Sequence, residues 1–268
     1  MDNLYTRAQA CLTVDDPAAK VAMTRALATD WEAGAICCEG DAPAPLAEPG
    51  RPERPCLVAP RDLPRRRLSS ARGRAALVHA IAHIELNAIN LALDAVQRFS
   101  SMPREFHADW LSVAVDEARH FELLSQRLGA LGYGYGDFPG HDGLWDSARR
   151  SAGDPLLRMA LVPRVLEARG LDVTPGMIAR LEVRGDRETV AVLELILAEE
   201  VRHVAIGSRW FRHLCEQRGL DPERCFAELV AEHFPRGLGG PFNLPARRAA
   251  GFSESELAAL AGAAAGSQ

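Results

Sequence analysis

From Ser69-Ser70 onward, apolar residues recur at spacings of three and four, the period of a helix with one buried face. Ile81, Ala88, Ala92 and Ala95 form such a stripe, and Glu85 lies within it. The pattern predicts a first long helix from Ser69 or Ser70, either of which can cap it, to about Phe99. Pro103 marks the next start, for a helix through Trp110 to Gly129 or Gly132. Asp154-Pro155 opens a third helix, which carries Glu167 and runs to Gly170. Thr174-Pro175 repeats that signal for a short helix ending near Gly185. A fourth long helix spans about Arg187 to Gln217, Asp221-Pro222 starts a shorter one to about Phe234, and Ser253 to Glu256 reads as the capping box of a last small helix.

The flanks read differently. Residues 1–34 predict two short helices broken near Asp15-Asp16-Pro17. From Gly34 to Pro64 prolines are too dense for regular helix, which predicts an extended, wrapping arm. The stretch GYGYGDFPGHDGLWD (132–146) has turn residues and no helical period, and PFNLPARRAAGF (241–252) reads as extended. No segment alternates as a strand does, so the expected fold is all-α. Two long helices, a long crossover and two more is the connectivity of a ferritin-like four-helix bundle. The expected organisation is an N-terminal helical and proline-rich arm (1–66), the bundle with its metal site (67–235), and a C-terminal tail with a short helix (236–268).

Composition narrows the class. The 268 residues are 47% hydrophobic and 25% charged, with a formal net charge of −5. That balance argues against a general nucleic-acid or anionic-membrane binder. The arginines between Arg51 and Arg74 read as a solvated run in a loop. Six cysteines occur without a C-x-x-C spacing and read as reduced thiols of a cytoplasmic protein. The N-terminus lacks the apolar core of a signal peptide. No apolar run approaches the roughly 18 residues of a membrane span, so a soluble protein without membrane partners is expected.

Candidate chemistry lies in two similar pentads, Asp116 to His120 (DEARH) and Glu199 to His203 (EEVRH). Each holds Glu-x-x-His, and each follows a lone glutamate at nearly the same distance: Glu85 precedes Glu117 by 32 positions and Glu167 precedes Glu200 by 33. Glu and His three apart on a helix lie about 60° and roughly 4.5 Å apart, so both can face one point. Glu-x-x-His recurs by chance, and surface ion pairs are the bland alternative. The matched upstream glutamates and the apolar neighbours Val113, Ala114, Ile196 and Leu197 favour a buried two-metal site. Its ligands would be Glu85, Glu117, His120, Glu167, Glu200 and His203. Four carboxylates balance two divalent ions, either Fe/Fe, Fe/Mn or Mn/Mn. Asp116 and Glu199 read either as solvent-facing acids or as acceptors of the free N–H of a ligand histidine on the opposite helix, with Arg119 and Arg202 neutralising them; the second reading is favoured for Asp116, and the two are balanced for Glu199.

The pentads resemble those of bacterial multicomponent monooxygenases and other non-haem di-iron carboxylate proteins. That resemblance implies iron binding by Glu117, His120, Glu200 and His203, with Glu85 and Glu167 in the single-glutamate roles and the preceding acid and the arginine outside them. HAIAHIELNAINLALDAVQRF, DEARHFELL, GYGYGDFPGHDGLW, MALVPRVLEARGLDVTPGM and PFNLPARRAAGF resemble the ferritin-like family catalogued as domain of unknown function 455, from about Arg61 to Leu260. This resemblance implies a ferritin-like fold with a metal centre and supplies no substrate.

Other residues carry weaker signals. His79 and His83, one turn apart, read either as alternative ligands or as hydrogen-bonding partners of the N-terminal arm. Pro163 predicts a kink beside Glu167, either for packing or to open room at the metals. Trp110 and Trp210 read as core, and no tyrosine lies within a turn of a ligand in sequence, which disfavours a radical-generating subunit. His141 and Asp142 are candidates for substrate contact in a loop that could cover an entrance.

The expected function is an oxidase or hydroxylase that uses O2 or peroxide on a small molecule, with an electron-donor protein and a second copy of the chain as compatible partners. The alternatives are ferritin- or rubrerythrin-like metal handling or peroxide removal, and a bundle stabilised by its metal. The missing paired C-x-x-C of a rubredoxin and the proline-rich arm weigh against metal handling. An RNA substrate held by the arginine-rich arm is weighed against by the acidic total charge.

Overall fold

In the computed structural model, which describes residues 3–64 and 66–265 with side chains as far as residue 262, the described residues form helices and no strand. The chain divides into two compact units, Met1–Arg149 and Arg150–Gln268.

The first unit is built on two long helices. Helix α3 (Ala71–Arg98) starts where the Ser70 side chain accepts the Gly73 amide, and α4 (Arg104–Ala130) starts after Pro103. The five-residue connection between them makes the pair antiparallel. Helices α1 (Leu4–Thr13) and α2 (Pro17–Glu32), capped by Asn3 and Asp16, lie on α3 and α4 respectively. An 18-residue stretch of α3 has a mean hydropathy high enough for a membrane span, although His, Glu and Asn interrupt its apolar residues. It is the core of this unit, 89% buried.

The predicted wrapping arm exists and is held through its backbone. Gln97 donates to the Pro43 carbonyl (2.8 Å), Arg98 to Leu46 (2.7 Å) and the Trp145 indole to Ala47 (3.0 Å). Gly50 donates to the Leu12 carbonyl at 2.7 Å. A Cβ at Gly50 would sit 2.1 Å from the Thr13 carbonyl oxygen, so only glycine permits this approach. Farther on, Leu57 and Gly140 pair in an isolated parallel bridge, with the Val58 amide donating to the Gly140 carbonyl and the Gly140 amide to the Cys56 carbonyl. Arg51 pairs with Asp142 and Arg54 with Asp137, whereas Arg61 is solvated; Arg65 lies outside the described residues. Helix α5 (Gly143–Arg150) forms inside the stretch read as aperiodic, because Trp145 and Ala148 bury one face of it.

Lys20 ties these pieces together. Its buried ammonium donates to the Leu12 carbonyl (3.1 Å), the Gly50 carbonyl (3.1 Å) and Asn90 Oδ1 (2.5 Å), joining α1, the arm and α3.

The second unit is a longer helical hairpin. Helix α6 (Pro155–Leu161), a π-helical segment (Val162–Glu167) and α7 (Ala168–Glu182) follow one another without a break, and a short turn leads into α8 (Arg187–Gln217). The separate helix expected at Thr174-Pro175 is therefore corrected: Pro175 lies inside α7. Proline leaves the Leu171 carbonyl without its helical amide donor. Asn243 Nδ2 supplies the missing donor at 3.1 Å, so the helix continues. The stretch 241–252 is corrected as well. It contains α10 (Leu244–Ala249), capped by Asn243 and pinned by Arg247, which pairs with buried Asp172 at 2.7 Å. Helix α9 (Pro222–His233) begins at Asp221 as expected. The capping box of α11 (Glu254–Ala265) forms as read, with Glu256 accepting the Ser253 amide and Ser253 Oγ accepting that of Glu256.

Two predictions follow from these ties. Burial pushes the Lys20 ammonium down to about 7 from 10.5. Between these values the unfolded chain binds the proton and the folded chain does not, so stability rises with pH there. Denaturant unfolding should show a gain of about 1–2 kcal/mol from pH 7 to pH 8.5, and Lys20→Met should flatten it. Asn243→Ala should cost about 1–2 kcal/mol in the wild-type chain. It should cost measurably less in a Pro175→Ala background, where residue 175 again supplies an amide for Leu171.

Candidate metal centre

Within the first unit, three predicted ligands converge. Glu85 on α3 and Glu117 and His120 on α4 are 4%, 1% and 0% exposed. His120 Nδ1 lies 3.2 Å from Glu85 Oε2 and 3.5 Å from Glu117 Oε2. One ligand atom from each falls within 4.8 Å of the others, so this buried glutamate–histidine cluster could hold a metal ion. Burial alone would lower the imidazole's affinity for a proton. The hydrogen bonds to Glu117 and Glu85 outweigh it and push His120 up to about 11. In the absence of a metal ion the two carboxylates thus favour the imidazolium form of His120. A divalent cation supplies the same compensation with more charge, and carboxylate oxygen with imidazole nitrogen is a donor set suited to iron or manganese.

Within the second unit, α8 places His203, fully buried, with Nδ1 3.4 Å from Glu200 Oε1, and the Glu200 side chain is 12% exposed. Glu167 closes the π-helical segment and is half-buried. Gly207 sets how that segment meets α8. A Cβ at Gly207 would lie 2.2 Å from Pro163 Cβ, so the proline ring occupies a notch only glycine leaves. Glu200, His203 and Gly207 share one face of α8 at spacings of three and four. The hairpin is antiparallel, so Glu167, four residues beyond Pro163, is level with His203, four residues before Gly207. Pro163 thus does more than kink a helix: its seat in the Gly207 notch sets the register of the segment carrying Glu167 against α8.

The other predicted residues are placed as follows. Asp116 and Arg119 face each other at 3.5 Å on α4, at the partly exposed edge of the helix. Glu199 is half-buried and Arg202 exposed. Trp110 and Trp210 are core residues. His79 and His83 turn to the loop after α4 and not to the N-terminal arm, which corrects that expectation. His79 Nε2 accepts the Gly136 amide at 2.9 Å, and His83 Nδ1 meets the Tyr135 hydroxyl at 2.8 Å. The loop must pass close to α3, since a Cβ at Gly140 would meet the His83 ring at 2.8 Å. In that loop His141 Nδ1 accepts the Gly143 amide and Asp142 pairs with Arg51 and Arg149.

Two residues that shape the second unit were not singled out from the sequence. Gly207 had a signal, since glycine inside a long helix marks a close approach. Arg164 had one too, as the single charge in the apolar run MALVPRVL.

A family model described as "Protein of unknown function (DUF455)" matches residues 13–258, and the chain belongs to that family. It is 48% identical over 213 residues to an "Uncharacterized protein" of Haemophilus influenzae, covering 77% of this chain and 74% of that one. No solved structure matches.

The cluster makes a stability prediction. His120→Leu removes the cation that lies between two buried carboxylates. In the presence of a chelator it should destabilise the protein by about 3–5 kcal/mol, measured by urea unfolding.

Proposed function

We propose that the chain is a ferritin-like metalloprotein whose two helical hairpins contribute matched halves of one two-metal carboxylate site. In this reading α3 and α4 supply Glu85, Glu117 and His120, while the π-interrupted helix and α8 supply Glu167, Glu200 and His203. The observation that carries it is the buried cluster of Glu85, Glu117 and His120, which places two carboxylates where only a cation makes their burial tolerable. Its Glu-x-x-His pair has a counterpart on α8 with the same Nδ1-to-carboxylate arrangement.

The assigned activity is that of a non-haem di-iron or iron–manganese oxidase or hydroxylase. Such ions supply the electrons for reducing O2 or peroxide when bound. The protein's part is to hold them with four carboxylates and two imidazoles and to keep bulk water out with an apolar shell that includes Val113, Ala114 and Ile196. The π-helical turn ending at Glu167 supports an enzyme over a passive store, because such turns recur at functional sites, where they move a side chain off the regular helical position.

Elemental analysis of protein expressed with ample iron and manganese tests the reading. About two ions per chain are expected in the wild type, with clear losses in both Glu117→Ala and His203→Ala. A wild-type protein without Fe, Mn or Zn sinks the proposal. Rapid mixing of the ferrous protein with O2 should then give a single-turnover optical change; repeated iron mineralisation would assign storage instead.

A further inference from the structure

Arg164 occupies a position where charge is costly: the residue is 2% exposed and sits inside the π-helical segment. Its guanidinium carbon lies 4.7 Å from the centre of the Phe211 ring, 4.2 Å from Phe226 and 4.7 Å from Phe252. The rings come from α8, α9 and the turn before α11, so one side chain joins three elements. Arg164 Nη2 meets Glu256 Oε1 at 2.5 Å, and the Glu256 side chain is itself 9% exposed. The other oxygen of Glu256 accepts the Ser253 amide and closes the capping box of α11. A guanidinium suits such a cage because it stacks on aromatic faces while pairing in its own plane.

The cage adjoins the π-helical segment that interrupts the α-helix between Leu161 and Ala168. Residues three apart on an α-helix lie within about 60° of each other. The wider π turn separates Arg164 further from Glu167, so the two point to different sides of the segment. Pro163 is seated in the Gly207 notch on one side and Arg164 in the cage on another. Together they fix the rotation of the segment about its axis, and the direction of Glu167 with it.

We propose that Arg164, anchored by Glu256 and the three phenylalanines, is a positioning residue that holds Glu167 in its metal-binding direction, and that α11 is thereby a working part of the site. This rests on the two-metal reading given above. It assigns the C-terminal helix a role beyond stability, as a strap whose attachment to the π-helical segment controls the geometry of one metal ion.

The test uses the full chain, freed of metal and titrated with Co2+, whose visible absorption reports coordination number. Glu256→Gln is the informative variant, because glutamine keeps the capping box while removing the charge. It should retain the helical content of the wild type, weaken one of the two Co2+ ions 10–100-fold and change its absorption, leaving the other ion unaffected. In a Glu167→Gln background it should cause no further weakening, since its effect passes through Glu167. Arg164→Lys keeps the charge but loses the planar stacking, and should reproduce the effect if Glu256→Gln disturbs the fold. Wild-type affinity and spectrum in the variants, or equal weakening with and without Glu167, overturns the positioning role. A wild-type chain that binds no Co2+ overturns the two-metal reading itself, a result distinct from either.

Discussion

The arrangement depends on burying negative charge between α3 and α4. Glu85 and Glu117 lie in the core of a helix pair whose other buried residues are mostly alanine, leucine and valine. An ionised carboxylate pays several kcal/mol to leave water, and two close together repel as well. His120 offsets this through the proton it holds between them, at a cost to its own hydration. The small side chains around the cluster follow from the same need. Ala82, Ala88 and Ala114 let the helices approach closely enough for one imidazole nitrogen to reach both carboxylates. A bulkier residue there would spread the helices and separate the charges from their compensation.

The second hairpin meets a different demand with a different device. The helix that carries Glu167 contains two interior prolines, and each is accommodated by a residue far away in sequence. Pro175 leaves the Leu171 carbonyl to Asn243, in the tail. Pro163 lies in the π-helical segment and is received by the bare backbone of Gly207 on α8. The tail is consequently bonded to the hairpin at Asn243, Arg247 and Glu256, by a neutral hydrogen bond and two buried ion pairs. Buried ion pairs contribute little net stability, but they tolerate few alternative geometries.

Much of this was legible in the residues because it is governed by local rules. Ser70, Asp16, Asp154, Asp221 and the Ser253–Glu256 box cap helices in the positions where their side chains can reach a free amide. Glu85, Glu117 and His120 were recognisable because helical periodicity alone decides which face a residue takes. What escaped notice depends on partners distant in the chain. Thr174-Pro175 has the local form of a helix start and becomes helix interior only because Asn243 is there to bond Leu171. The helix at Gly143–Arg150 forms because Trp145 finds the Ala47 carbonyl in the arm. His79 and His83 bond to a loop more than fifty residues away, a pairing that no spacing rule expresses.

The similarity of the two Glu-x-x-His pairs conceals an asymmetry in how they are supported. On α4 the histidine bonds carboxylates on two regular helices, and its surroundings are locked by ordinary side-chain packing. In the other hairpin the lone glutamate stands on a π turn whose orientation is set by a proline notch and a caged arginine. Regular helices give a ligand one rigid position, whereas a π turn stores an alternative α-helical arrangement of the same residues. The two Glu-x-x-His pairs are therefore supported by different means: packing between regular helices in one unit, and in the other a π turn secured from outside by the pairing of Arg164 with Glu256.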